Sequence, residues 1–392
     1  FIYFKKHEIS GHKYTFHNEP LFLEDLEKRS YLGIEKNNLS RIIDLGKRNK
    51  VKEIIYFNKG LQHGQYLSYF TNGFLSYEGK YKNGRKTGVH SKYFINSILA
   101  RCYNYIYGLK HGRCKIYYFN GTVKKYQYYF FGLLNGPCIS YYRNGNVESI
   151  FTYKRDVLHG KFKNFSLNGF IETEGTYKDG EFDDLLKLYR RGLLEQEYTY
   201  KKGSLNGLSF SYYDNGRVRM MCNYKDDLLH GTFKNYYDNG KVKEESYYLN
   251  NELYGLSTQY NLDGRKLFSI EYRKGLKDGL LTEYFINGNP KKIIKYNKDV
   301  IHGYIKNFYP NGVLKMKMSV RDNEFSGFLK QYYNNGNIMN EYYKSSSINL
   351  KTIKIYSSAG FIMQDISQSE NLKIIRNYDL MGNLVDDELI VL

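Results

Sequence analysis

The sequence predicts an all-β fold, an elongated open-faced meander of β-hairpins in a solenoid-like, twisted single-layer sheet, and three observations predict it. The first is local. In GTFKNYYDNGKVKEESYYLNNELYG, Gly231 to Gly255, one tyrosine pair precedes Asn239-Gly240 and another follows it, with alternating residues between. Asn-Gly accepts the positive φ values of a tight turn, and Val and Tyr favour a pleated surface on either side, so the stretch reads as a hairpin. A lone hairpin is marginal in water, so recurrence decides. The second observation is that it does recur. The turn glycine returns at Gly73, Gly121, Gly145, Gly169, Gly192, Gly216, Gly240, Gly264, Gly288, Gly312, Gly336 and Gly360, with Ser97 standing in its place once. Every step is 24 residues except the 23 between Gly169 and Gly192, and Gly382 closes a shorter last unit. A fixed period of this kind marks a repeat architecture. The third is composition: 17% aromatic residues, with 44 Tyr and 24 Phe, exclude disorder, which is depleted in them.

The elements of one unit follow in order, counted from the turn glycine as zero. The first strand ends on an aromatic column at −4, as in Tyr69, Tyr93, Tyr117, Tyr141, Tyr212 and Tyr236, with Leu188 as its exception. The second strand opens on an aliphatic column at +2, as in Leu75, Val123, Val147 and Val218, and carries ten successive tyrosines at +8, from Tyr81 to Tyr296. Those two columns differ by six, an even number, so both are expected on one face as an aromatic and aliphatic stripe. A further aromatic column at −3 comprises Phe70, Tyr118, Tyr142, Tyr213, Tyr237, Phe285, Tyr309 and Tyr333. Adjacent strand residues point opposite ways, so this column is expected on the other face. A second glycine column at −9, from Gly64 to Gly327, reads as the turn joining one hairpin to the next. With two strands per unit, each unit advances roughly 9.6 Å and the units together about 130 Å before twist. Such a molecule has no single central core, and its stability is a sum of nearest-neighbour terms.

Three segments result. Residues 1–50 read as degenerate N-terminal units, and LEDLEKRSYLGIEKNNLSRII within them reads as one or two short helices. The stretch RIIDLGKRNKVKEIIYFNKG fits a unit with Ile42, Val51 and Phe57 in register if its turn is three residues longer. Residues 51–344 are the regular array. Residues 345–392 keep strand and turn but lose the tyrosines, as expected of a unit capping an exposed end.

At these columns the sequence resembles MORN repeats, and its 24-residue form, YYDNGKV followed by Tyr, Gly and His-Gly, is most similar to the variant found in YwqK-family antitoxin-like proteins. The resemblance covers about Val51 to Lys344 strongly and Ser345 to Leu392 weakly. It implies an open-faced sheet that binds protein partners and, in some relatives, phospholipids. MORN arrays also accompany lipid kinase or methyltransferase domains, and no such domain is evident here.

Charge and chemistry bound the rest. The net charge of +19 points to an anionic partner or, as plainly, to a codon-driven enrichment in Lys, Asn, Ile, Tyr and Phe. No apolar run reaches the roughly 18 residues of a membrane span. FIYFKKHEIS is not a secretory leader, and a chain opening on Phe1 reads as a fragment or trimmed product. Cys102, Cys114, Cys138 and Cys222 do not form a disulfide framework, and a reducing, cytoplasmic setting is expected, with a peripheral place at a membrane surface as the variant. His63, His111, His159, His230 and His302 share a column but lie two or more units apart, so they cannot share a metal, and each reads as a turn residue before glycine. Cys114 and Cys138, one unit apart at roughly 9.6 Å, are too distant for a disulfide. Glu244 and Glu245 are neighbours on a strand and point to opposite faces. No catalytic motif, cofactor fingerprint or small-molecule site is found.

The expectation is therefore a non-catalytic scaffold with a protein partner. An antitoxin-like neutraliser and a binder of anionic phospholipid are the alternatives, and nucleic acid is disfavoured. Tyr118, Tyr142, Tyr213, Tyr237, Phe285, Tyr309 and Tyr333 are the candidate partner-binding surface, because that column is the more variable of the two.

Overall fold

The computed structural model describes residues 31–36, 39–45, 51–345 and 350–392, with side chains from residue 51 onward. Among these residues there are strands, turns and bends, and no helix. Contacts divide the chain into two compact units, Phe1–Asp183 and Asp184–Leu392. Each is an antiparallel meander. In the first, Val51–Asn58 pairs with Leu61–Tyr69, which pairs in turn with Leu75–Lys82. In the second, Val218–Lys225 pairs with Leu228–Tyr236 and that strand with Val242–Leu249. The sheet is open: among the described residues Leu384–Val391 pairs on one side only, with Leu372–Tyr378. The meander of hairpin repeats that the period predicts is the fold.

The hairpin turn is built as its glycine requires. Gly73 N–H donates to the Phe70 carbonyl at 2.8 Å, Phe70 N–H donates to the Phe74 carbonyl at 2.8 Å, and Gly73 has φ +91°. Ser97 holds the same left-handed conformation at φ +65° without being glycine. A bulge follows in nearly every unit. Ser140 pairs with Ser149 and Tyr141 with Val147, so Glu148 is left over in the second strand.

That extra residue overturns the face assignment made from spacing alone. Directly opposed residues share a face. The −4 and +2 columns are opposed across the bulge and lie on one face. The −7 column is opposed to +6, and +4 and +8 stand two residues either side of +6 on the same strand, so these four lie on the other. The even separation of +2 and +8 fails as a guide because a bulge shifts the alternation by one.

The −9 glycines are not the connecting turn either. That turn is a two-residue loop further back, such as Asn83-Gly84 at φ +49° and +75°, with Lys82 and Arg85 paired across it. The −9 glycines sit where the returning strand bulges, and two requirements keep side chains out. Gly207 has φ +121°, and a Cβ there meets Thr199 Cγ2 at 3.1 Å. The unoccupied space lies directly opposite a tyrosine of the +8 column, as in Gly207 and Tyr224.

The 23-residue step also resolves. Its turn is the two-residue loop Arg191-Gly192, at φ +52° and +83°, so the missing residue lies in the turn and not in the strand. Tyr189 pairs with Leu194 and occupies the −4 column, which Leu188 therefore does not interrupt.

At the N-terminal end, Tyr31–Lys36 and Leu39–Leu45 are paired strands, and the helices expected over this part are absent from them. The remaining residues of that expectation lie outside the described ones. Leu45 pairs with Val51 at the same separation as the −4 to +2 pairing of the regular units, so Leu45, not Ile42, holds the column. By count along the sequence, Asn49 falls 24 residues before Gly73.

The core runs along the middle of one face, in columns −7 and +6. Cys114, Cys138, Phe162 and His90 are buried there in the first unit, and Leu186, Ser209, Cys222, Ser246, Ile270 and Ile294 in the second. Large residues oppose small ones: Phe162 faces Gly175, and Phe233 faces Ser246. The opposite face carries ion-pair rungs such as Lys163–Glu174 at 2.7 Å and Lys234–Glu245 at 2.9 Å.

Candidate functional site

The seven aromatics singled out from sequence stand one residue past the strand end, immediately before the three-residue turn formed by positions −2, −1 and 0, rather than on a strand face. They line the turn edge of each unit. Their hydroxyls are not free. Tyr118 O–H donates to the Tyr141 carbonyl at 2.7 Å, and Tyr142 to Phe165 at 2.8 Å. In the second unit, Tyr213 donates to Tyr236, Tyr237 to Tyr260, Tyr309 to Tyr332 and Tyr333 to Tyr356, all at 2.7–2.9 Å. Each acceptor is the −4 residue of the next repeat. Phe285 holds the same place without a hydroxyl. All seven rings are half-buried, and the six tyrosines among them are pinned at the tip as well.

Cations sit over several of these rings: Lys124 at 5.5 Å and Arg143 at 5.8 Å from Tyr118, Lys243 at 5.8 Å from Tyr237, and Lys315 at 5.4 Å from Tyr309. Tyr142 differs. Slight burial, then the carboxylates of Glu148 and Glu172, hold its phenol above the ordinary tyrosine range.

A second ladder runs beside the first and was not read from the sequence. The turn asparagine at −1 accepts from its own backbone, as Asn239 Oδ1 does from Lys241 N–H at 2.9 Å, which fixes the turn. Its amide then donates to the next turn, as Asn239 does to the Leu262 carbonyl at 3.2 Å and Asn72 to the Ile95 carbonyl at 3.5 Å. Asparagine recurs there because it serves both bonds. The residue at −2 points out. Ile95, Phe119 and Leu167 are exposed in the first unit, and Leu262 and Ile286 in the second, Ile286 at 69%. Reading the −2 column for apolar residues in a tight turn would have found them, since turns otherwise favour polar residues.

The histidine column has a role that differs from the one expected. His230 Nδ1 lies 3.1 Å from Asn250 Oδ1, and His302 Nδ1 3.1 Å from Asp322 Oδ1. Each histidine stands at the strand bulge and holds the two-residue turn that follows, on the edge opposite the tyrosines. Among the described residues no three His, Cys, Asp or Glu side chains converge as metal ligands, and the four cysteines are free thiols. An open notch of about 410 Å³ lies at the short Arg191-Gly192 turn, lined by Arg190, Glu195, Tyr212, Tyr213 and Arg219 among others.

Hairpins of fixed period, tied edge to edge by a tyrosine in six units and by a turn asparagine in several, define a class of open-sheet repeat. Five stretches, residues 110–130, 134–155, 205–226, 229–250 and 301–322, match the MORN repeat variant, each spanning one hairpin about its three-residue turn. The chain is a MORN-repeat protein. No curated protein matches it. Among solved structures, a TcdB2-TccC3-Cdc42 complex is similar at 10% identity, over 90% of this chain and 20% of that one, with a TM-score of 0.18. A Photorhabdus luminescens Tc holotoxin pore is similar at 11% identity, over 92% of this chain and 28% of that one, with a TM-score of 0.15. The chain spans under a third of the length of either, and likenesses this slight carry no argument. Among the described residues no helix is long and apolar enough to cross a membrane.

Proposed function

We propose that the chain is a non-catalytic scaffold that binds a protein partner along the turn edge carrying Tyr118, Tyr142, Tyr213, Tyr237, Phe285, Tyr309 and Tyr333. The observation that carries this reading is that one turn edge carries both half-buried aromatic rings and exposed apolar residues, Phe119 beside the pinned Tyr118, Ile286 beside Phe285, and Leu262 in a turn between those of Tyr237 and Phe285. Rings held by a hydroxyl bond lose little freedom on binding, and aromatic anchors of that kind dominate protein interfaces. Residues 51–344 supply the repeated edge, residues 345–392 its capping end, and the free thiols suit a reducing, cytoplasmic setting.

Tyrosine-to-alanine changes alone do not separate binding from folding, because each also removes a bond between repeats. The exposed −2 residues do separate them. Phe119→Ser, Leu262→Ser and Ile286→Ser together are expected to leave thermal unfolding unchanged and to abolish recovery of the partner in pull-down. Undiminished recovery by the triple variant sinks the edge assignment. Neutralisation of a partner protein, as in antitoxin-like relatives, is the narrower form of the proposal, prompted by the match to the MORN repeat variant. It requires rescue when the chain is co-expressed with the product of a neighbouring reading frame.

A further inference from the structure

The repeats act as each other's controls, and one column breaks its own rule twice in succession. Position −11 pairs with the +8 tyrosine of the preceding hairpin. There Leu134 faces Tyr129, Leu158 faces Tyr153 and Phe182 faces Tyr177, each an apolar residue against a ring. In the two units before them the same place is taken by Lys86, facing Tyr81, and Lys110, facing Tyr105. The fold does not need a charge at this position, since the neighbouring repeats do without it.

Both lysines lie along half-buried rings. The Lys86 ammonium is 5.2 Å from the Tyr105 ring centre and 5.8 Å from that of Tyr77. The Lys110 ammonium is 4.3 Å from Tyr103 and 4.8 Å from Tyr129. Arg101 lies 5.9 Å from Tyr103, so three cations share one aromatic patch. Burial, followed by the charges of Lys110 and Arg101, holds the Lys86 ammonium below the ordinary lysine range. Among the described residues no carboxylate forms an ion pair with any of the three. Asp156 acts on Lys110 at longer range, and its Oδ1 already accepts from Leu134 N–H at 2.6 Å. On the other face of the same unit, by contrast, Lys163 has Glu174 at 2.7 Å.

We propose that Lys86, Lys110 and Arg101 form a docking site for the carboxylates of an acidic peptide segment on a partner protein. The site supplies what the array gives its other rungs, lysines awaiting carboxylates, on the aromatic face rather than the turn edge. Nucleic acid is a poor fit, because base stacking needs free ring faces and here the ammonium groups cover them. The lysines are already partly desolvated, so a carboxylate arriving there gains charge-assisted hydrogen bonds that offset that cost. The proposal goes beyond the turn-edge reading and stands apart from it.

The test restores what the neighbouring repeats carry. Lys86→Leu/Lys110→Leu in the full chain is expected to raise the unfolding temperature, since it replaces half-buried charge by the residue found at the next two equivalent positions. A fluorescent peptide of alternating Glu and Gly should bind the unaltered chain, weaken with added salt, and lose about tenfold or more in affinity for the double variant. A Gln-Gly peptide should not bind. Equal binding of the Glu peptide to both proteins overturns the proposal, as does binding only to inorganic phosphate or only to phosphatidylserine vesicles. Absence of peptide binding overturns it as well. The turn-edge residues are intact in the double variant, so pull-down of the edge partner reads the other proposal separately.

Discussion

At the scale of single residues, His90 and Gly79 show how a core is made in one sheet. His90 is 2% exposed, and its Nε2 lies 2.8 Å from the Lys80 carbonyl. A carbonyl only accepts, so Nε2 carries the proton and Nδ1 accepts from the Tyr77 hydroxyl. Burial lowers the imidazole pKa to about 4. The neutral form is thus the folded form. Its contribution to stability is complete above the unfolded value near 6.5 and is lost as pH falls from there through about 4. The His90 ring protons should titrate by NMR with a midpoint near 4, and a midpoint near 6.5 contradicts the buried neutral ring. Gly79 is small because the imidazole lies over it: a Cβ there falls 2.2 Å from His90 Nδ1. Gly79→Ala should cost about 1–3 kcal/mol in urea unfolding. Neither residue was legible in the sequence, where Gly79 falls in no glycine column and His90 falls outside the histidine column. Their partnership exists only across the strand gap.

At the scale of elements, the period and the three-residue turn were readable, and the faces and the two-residue connecting turn were not. The turn glycines and the aromatic columns follow from Asn-Gly chemistry and strand alternation. The bulge has no residue signature of its own here, since Lys124, Glu148, Arg219 and Lys243 all fill it, and it reverses which columns share a face. The same ambiguity placed the missing residue of the 23-residue step at Leu188, when the shortened turn at Arg191-Gly192 leaves Tyr189 in column. The candidate tyrosines were found, and their hydroxyl bonds were not, because the acceptors lie 23 residues on, in another unit. These bonds can be weighed separately. Tyr237→Phe removes only the hydroxyl and should cost about 0.5–1.5 kcal/mol. Asn239→Ala removes both the turn bond and the bond to Leu262 and should cost more. Asn239→Asp retains the acceptor and should fall between the unaltered protein and the alanine variant. Equal losses from Asp and Ala would show that the amide donation contributes nothing.

At the scale of the whole chain, stability belongs to neighbours. Pairing is almost wholly between adjacent strands, so a lesson learned in one unit should not travel far. Leu281→Ala should raise amide exchange in Leu276–Tyr284 and its flanking strands while leaving Gly112–Tyr117 at its original rate. Uniform acceleration through the chain contradicts an additive array. The period foretold this architecture, and the excess of lysine left an anionic partner and a codon-driven composition both open. It did not separate lysines already paired with glutamates from those left on bare rings, because that distinction depends on register. The central claim is that a protein partner is held along the tyrosine turn edge, and hydrogen exchange measured with and without the captured partner tests it most directly. Protection is predicted in the turns bearing Tyr118, Tyr142, Tyr213, Tyr237, Tyr309 and Tyr333. Protection confined to the opposite edge, at loops such as Asn250-Asn251, would contradict it.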